Sequence, residues 1–308
     1  DLYKKYKFSR RRYEEIEEDL KKAADSEYAQ NYTTCFLQDG DAFVLQTEFL
    51  MQILEGIHKY LPNIKHVTTY ARADSIARKS VSELRELKTA GIEHLYCGME
   101  TGSDLILRKI NKGFDAATII ISGTKAKEAG MVLSEFTLFG IGGKELAEEN
   151  AVETAKVLNV IKPDFVRVHA TGIKLSSEMW NYVKNKELTL QSEEEIVSEQ
   201  KIMLELLADD MDCIYMNEHI VNLLLEVRGN IRTDKQNMLE TINTYLQLPK
   251  QEQELFNLGR RLNIMFFLAD LNNRAKRKQT EEGLRKIKTQ NPDLDLAFVC
   301  NYVRQTQI

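Results

Sequence analysis

The sequence predicts an α/β fold: parallel βα units that form a barrel or part of one, followed by a helical C-terminal tail. Three observations predict it. Short β-rich runs alternate with segments of helical period from Thr33 to His169, which calls for parallel strands joined by right-handed crossovers. One unit recurs: Lys88-Thr-Ala-Gly91-Ile92 and Lys127-Glu-Ala-Gly130-Met131 each stop a helix at glycine and lead into a strand. Only 4 prolines and 15 glycines are present, too few for a Pro/Gly-rich all-β or low-complexity chain.

The elements follow in order. Thr33 to Leu37 is a β-rich run that ends in the turn Asp39-Gly40-Asp41. Thr47 to Tyr60 places Phe49, Leu50, Ile53, Leu54 and Ile57 at helical spacing, and Pro62-Asn63 stops that helix. Lys65 to Tyr70 reads as the next strand. Ser80 with Glu83 is a capping box ahead of Leu84 and Leu87, and Gly91 stands where a helix ends. Glu93 to Met99 and Val132 to Phe139 are strands. A helix over Glu145 to Val160 ends before Pro163, and Phe165 to His169 follows as a strand. Ser192 to Leu207 is acidic at its start, as a helix dipole favours. Asp234 to Leu246 is amphipathic, and from Gln251 onward the pattern is helical.

Composition bounds the function. In 308 residues, 43% are hydrophobic, enough for a real core. With 42 Lys+Arg against 47 Asp+Glu the net charge is −5, so no chain-wide nucleic-acid footprint is expected. No apolar run reaches the roughly 18–20 residues of a membrane span, and a cytoplasmic protein is expected. Residues 260–288 hold nine Lys/Arg against three acids. They read as a solvated helix face, with RNA or partner contact as the alternative. Cys35, Cys97, Cys213 and Cys300 are scattered, form no C-x-x-C pair, and read as reduced, mostly buried thiols.

Four places could carry chemistry. Phe139-Gly140-Ile141-Gly142-Gly143-Lys144 fails as a phosphate loop, because Leu138 and Glu145 occupy the positions that need Gly and Ser/Thr. It is either bare backbone for a flat ligand or a tight strand-to-helix turn. Asp39-Gly40-Asp41 is a divalent-metal clamp or, more readily, a polar turn. Glu100, between Gly98 and Gly102 at a strand end, faces a ligand or caps the helix beginning near Ser103. Arg72 occupies the equivalent place one unit earlier, and Lys112 lies in the connection after Glu100.

Taken in order, Phe36-Leu-Gln-Asp-Gly-Asp-Ala42, Tyr70-Ala-Arg-Ala73, Tyr96-Cys-Gly-Met-Glu-Thr-Gly-Ser-Asp104 with Ile110-Asn-Lys-Gly113, and Leu138-Phe-Gly-Ile-Gly-Gly143 resemble the radical S-adenosylmethionine (SAM) superfamily. The branch is that of the oxygen-independent coproporphyrinogen oxidases and the iron–sulfur oxidoreductases near them. Asn217-Glu-His-Ile-Val-Asn222 with Gly229 is similar to a segment of the same branch. The resemblance covers about residues 1–246.

It implies a partial (β/α)6 TIM-like barrel over 1–190, lacking its first strand and cluster loop, and a family-specific helical region over 191–248; residues 249–308 read from their own helical pattern as a C-terminal appendage. It assigns Asp39, Gly40 and Asp41 to the SAM amino group, with Asp41 in place of the usual Glu. Glu100 would take the ribose hydroxyls, and Arg72 or Lys112 the methionine carboxylate. Gly140, Ile141 and Gly142 would support the adenine, with Val168 and His169 near it. Asn222 would meet substrate. Thr137, His58, His66, His94 and His219 receive no role. A C-x-x-x-C-x-x-C motif for a [4Fe–4S] cluster is absent from the sequence and is expected just before Asp1. Asp1 to Lys4, Tyr13 to Ile16 and Asp19-Leu20 read as the stretch that follows such a motif.

The implied activity is reductive cleavage of SAM to a 5′-deoxyadenosyl radical that abstracts hydrogen from substrate, with flavodoxin or ferredoxin as electron donor. Two other readings stand beside it. One is a non-catalytic relative of haem-chaperone type. The other is a metal-dependent barrel lyase or transferase, with Asp39 and Asp41 on the metal and the 140–143 glycines on a phosphate.

Overall fold

The structure, a computed structural model, describes residues 9–290 and 293–307. The stretch Asp1 to Lys4 lies outside the described residues. The chain divides into two compact units, one of residues 1–99 and 116–135, the other of 100–115 and 136–308. The fold is α/β, and seven strands neighbour one another in chain order.

The first unit opens with α1 (Tyr13–Ala24), β1 (Thr34–Leu37), α2 (Thr47–Tyr60) and β2 (His66–Ala71). It continues with α3 (Ala73–Arg78), α4 (Val81–Thr89) and β3 (Ile92–Glu100). α6 (Ala116–Glu128) and the start of β4 (Val132–Phe139) complete it. β1 and β2 pair in parallel with Phe36 beside Thr68, and β2 and β3 with Tyr70 beside Tyr96.

The pleat sorts the side chains. Val67, Ala71, Leu95, Cys97 and Met99 are buried on one side. Phe36, Tyr70, His94 and Tyr96 cluster on the other, with Phe36 and Tyr70 centroids 4.8 Å apart and the His94 ring stacked 4.3 Å from Tyr96. α2 holds the predicted Leu50, Ile53, Leu54 and Ile57 in the core. The Ser80–Glu83 capping box forms reciprocally and satisfies the Glu83 and Ser80 amides at the start of α4. Gly91 and Gly130 take the positive φ (115° and 75°) that a helix stop requires.

The second unit carries α5 (Asp104–Lys109), the end of β4, α7 (Ala147–Ile161), β5 (Phe165–Ala170), α8 (Glu178–Lys184) and α9 (Glu193–Leu206). β6 (Ile214–Met216) pairs in parallel with β5, and β7 (Gly229–Asn230) closes antiparallel on β6. Four helices follow: α10 (Ile231–Leu246), α11 (Lys250–Arg261), α12 (Arg274–Gln290) and α13 (Leu296–Arg304). The helix expected from Asp234 begins at Ile231, because the Asn230 side chain accepts the Arg232 N–H and caps it earlier. The helix expected from Glu145 begins at Ala147, after a tight turn over Lys144–Leu146.

One expectation needs correction. Residues 260–288 are not one solvated face. Arg260 and Arg261 are buried. Arg260 donates to the carbonyls of Leu223, Asn222, Ile220 and Met265. Arg261 grips Glu193 through Nε and Nη2 at 2.8 and 2.9 Å. Cys97, Cys213 and Cys300 are buried and Cys35 half-buried, all free thiols as expected.

Candidate functional site

In the first unit the site residues gather where β1 and β2 end. Asp41 is half-buried. Its Oδ1 accepts the Arg72 backbone N–H at 3.1 Å and its Oδ2 the Ser75 hydroxyl at 2.5 Å. Burial pushes its carboxyl above the usual carboxylate range, while the Ser75 and Arg72 hydrogen bonds oppose that rise. Asp41 thus ties the end of β1 to the start of α3, and Ser75 is a partner the sequence did not announce.

Asp39 is exposed and accepts the N–H of Gly40. Asp39 and Asp41 both line a cavity of about 240 Å³ with Leu37, Phe49 and Arg10. The Arg72 guanidinium reaches Asp74, Nε to Oδ1 3.0 Å.

In the second unit Glu100 and Lys112 come together, Nζ to Oε1 2.6 Å, both largely shielded from solvent. Glu100 sits at φ 64°, a left-handed conformation that few non-glycine residues adopt. It does not cap the next helix. Ser103 does, by accepting the Ile106 N–H. Gly102 allows close approach: a Cβ there would lie 2.2 Å from the Glu153 carbonyl oxygen.

The turn after β4 is occupied on its glycine sides. Gly140, at φ 79°, faces Ile196, and Gly142 faces Ile106 and Leu146. Ile141 is buried. Of the two readings of these glycines, the local packing is that of the tight turn. Beneath it lies Glu199, a residue sequence reasoning missed. Its carboxyl accepts the Gly140 N–H (3.0 Å), Asn150 Nδ2 (2.6 Å) and Gln191 Nε2 (2.9 Å). Complete burial raises its pKa to about 7 against the pull of those three donors.

At the end of β5, His169 packs on Phe136 and on His219, whose ring centroid lies 4.3 Å away. Burial, then the neighbouring His219 and Arg167, lower the pKa of His169 to about 4, so the ring is neutral near pH 7. Burial also lowers that of His219. Asn222 is a clasp rather than an open contact. Its Oδ1 accepts the Ala170 N–H and its Nδ2 donates to the Val168 carbonyl, both at 2.7 Å. Thr137 is buried.

No family model matches the chain. Over 173 residues it is 24% identical to the heme chaperone HemW of Bacillus subtilis, a match that covers 56% of this chain. It matches 45% of that relative's length. Among solved structures, coproporphyrinogen III oxidase (HemN) from Escherichia coli, a radical SAM enzyme, aligns with a TM-score of 0.49 at 14% identity, over 65% of this chain and 48% of the other. The radical SAM methyltransferase TsrM from Kitasatospora setae, with cobalamin and a [4Fe–4S] cluster bound, aligns with a TM-score of 0.48 at 12% identity, over 89% and 56%.

The donor sets can be tested against the groups the resemblance implies. Two carboxylates beside a cavity suit an ammonium group, and Glu100 at a strand end suits hydroxyls. A cluster does not fit the described residues: no group of three or more His, Cys, Asp or Glu among them could hold a metal ion. No helix among them is long and apolar enough to cross a membrane.

Proposed function

We propose that the chain is the SAM-binding part of a radical SAM protein. The observation that carries this reading is the pair Asp39 and Asp41, set just past a parallel strand and lining one cavity. Asp39 offers its carboxylate to the SAM ammonium, and Asp41 fixes the loop through Arg72 and Ser75. Glu100 takes ribose hydroxyls, and the strained backbone at that residue supports a role beyond packing. Lys112 orients the Glu100 carboxylate through its 2.6 Å contact. The β4 turn, braced by Glu199, offers the adenine at most its backbone, since Ile141 is buried.

Bound SAM supplies a sulfonium whose carbon–sulfur bond is the reactive one. The chain's residues supply position and exclusion of water. The electron donor and substrate belong to the same proposal: a flavodoxin or ferredoxin, and a molecule still to be identified.

A second reading is favoured by the match to a heme chaperone: ligand carriage without turnover. One pair of experiments separates the two. The native gene product, purified without oxygen, is assayed for iron and for 5′-deoxyadenosine release with SAM and dithionite. It is also titrated with hemin. Deoxyadenosine release supports the enzyme. Stoichiometric hemin binding with no SAM cleavage supports the carrier, and neither result would end both readings.

A further inference from the structure

We propose that Arg260 is a positioning residue for the end of β5: it shapes the loop after β6 so that the His219 ring lies against His169 and Asn222 clasps the strand. That loop, 217–228, has no regular structure. Val221, Asn222, Leu223 and Leu224 are buried all the same, so its carbonyls need donors from other parts of the protein. Arg260 serves three of them. Its Nε donates to the Leu223 carbonyl at 2.9 Å, and its Nη2 to those of Asn222 and Ile220 at 2.6 and 3.2 Å. Asn217 serves the next, Leu224, at 2.6 Å.

Arg260 is fully buried and makes no ion pair among the described residues. Burial, then the neighbouring Arg261, lower its pKa to about 10, so it stays charged near pH 7. A buried charge without a counter-charge in contact is destabilising, and an apolar side chain would leave the three carbonyls unpaired. Arg261 differs: it spends its guanidinium on Glu193. A lysine could not replace Arg260, because it lacks the planar fork that reaches several acceptors at once.

Two links carry the loop's shape to β5. Asn222, held at its carbonyl by Arg260, clasps the strand on both sides of His169, at the Val168 carbonyl and the Ala170 N–H. The Val221 N–H donates to His219 Nδ1 at 3.4 Å and ties that ring to the same loop. The ring then lies 4.3 Å from His169. His219 is exposed and His169 half-buried, so a ligand can reach the pair.

The chain has 5 histidines, so their ring protons can be assigned by single substitutions in the full chain. His169 and His219 should show a mutual nuclear Overhauser contact. Arg260→Lys and Asn222→Ser should each lose it, while Arg261→Lys, which alters an equally buried arginine, should keep it. Phe266→Leu removes the ring beneath the Arg260 guanidinium and should weaken the contact in part, which keeps the test open if Arg260→Lys does not fold. A contact unchanged in Arg260→Lys or in Phe266→Leu, or lost equally in Arg261→Lys, would overturn the proposal. One further readout rests on the SAM reading, which puts His169 near the adenine: Arg260→Lys should weaken S-adenosylhomocysteine binding about threefold. Unchanged affinity beside a lost contact would overturn the role toward that ligand. A parent chain that binds none would sink the SAM reading and leave the ring contact to decide this one.

Discussion

Arg261 holds Glu193 with two parallel hydrogen bonds, Nε to Oε1 at 2.8 Å and Nη2 to Oε2 at 2.9 Å, and neither side chain is more than 1% exposed. Arg304 of α13 adds a third contact to Oε1 at 2.8 Å. Glu193 opens α9, Arg261 ends α11 and Arg304 ends α13. One carboxylate therefore ties three helices of the C-terminal region together.

Glu193→Gln should cost about 3–5 kcal/mol, because two buried guanidiniums would lose their counter-charge. Burial alone would raise the pKa of Glu193. The two arginines overcome it and hold the group at about 2. The folded value lies below the unfolded one, so this contribution is complete above about pH 4.5 and fades as pH falls toward 2. Urea unfolding of both proteins from pH 2.5 to 7 checks this. A variant within 1 kcal/mol of the parent (roughly the size of an exposed pair) would contradict a closed, charged cluster.

His169 and Glu199 pull stability in opposite directions with pH. His169 titrates at about 4 when folded, below its usual 6.5, so the unfolded chain binds the extra proton between those values. Its contribution is whole above pH 6.5 and is lost on acidification toward 4. Glu199 titrates at about 7 when folded, above its usual 4.5, so the folded chain binds the extra proton there. Its contribution is whole below pH 4.5 and is lost as pH rises through 7. His169→Gln should therefore soften the acid side of the stability profile, and Glu199→Gln the neutral side. Unfolding midpoints measured from pH 4 to 7.5 separate them, and parallel profiles for both variants would refute the assignment.

Two glycines should respond oppositely to alanine. A Cβ at Gly102 would meet the Glu153 carbonyl oxygen at 2.2 Å and the Thr154 nitrogen at 2.7 Å. Backbone cannot yield as a side-chain tip does, so Gly102→Ala should lose about 1–3 kcal/mol. Gly283, within α12, would meet only the tip of Leu262 at 3.2 Å. Gly283→Ala should gain about 0.5–1 kcal/mol from helix propensity. Melting temperatures that move in the same direction would show the packing of the β3–α5 connection to be looser than described.

Much of the barrel-like part was legible because its signals are local. The period of α2, the glycine stop at Gly130 ahead of β4 and the Ser80–Glu83 box are each written in a few neighbouring residues. The rest depends on partners far along the chain. Arg260 and Arg261 stand in a basic run that reads as solvated, but their acceptors at Leu223 and Glu193 lie 37 and 68 residues away. Glu199 reads as the polar face of α9 until Gly140, Asn150 and Gln191 close on it. β6 and β7, three and two residues long, owe their form to pairing rather than propensity. At the site, Asp39 and Asp41 were visible as a motif, whereas the amide of Asn222 proved to be spent on β5.

The two aspartates make the sharpest test of the SAM reading, because they should fail differently. Asp39 is exposed and holds only the Gly40 turn among the described residues. Asp39→Ala should leave the melting temperature unchanged and weaken SAM binding about tenfold, the worth of one charge-assisted hydrogen bond. Asp41→Ala should also lose about 1–3 kcal/mol of stability, since the Arg72 N–H and Ser75 hydroxyl would lose their acceptor. Calorimetric titration with S-adenosylhomocysteine and SAM measures the first effect, and chemical unfolding the second. Unchanged affinity in Asp39→Ala would remove this carboxylate from the ammonium seat. The Asp41 loop would then be a brace for β1 and α3 alone, with Glu100 and Lys112 left to carry the SAM contact.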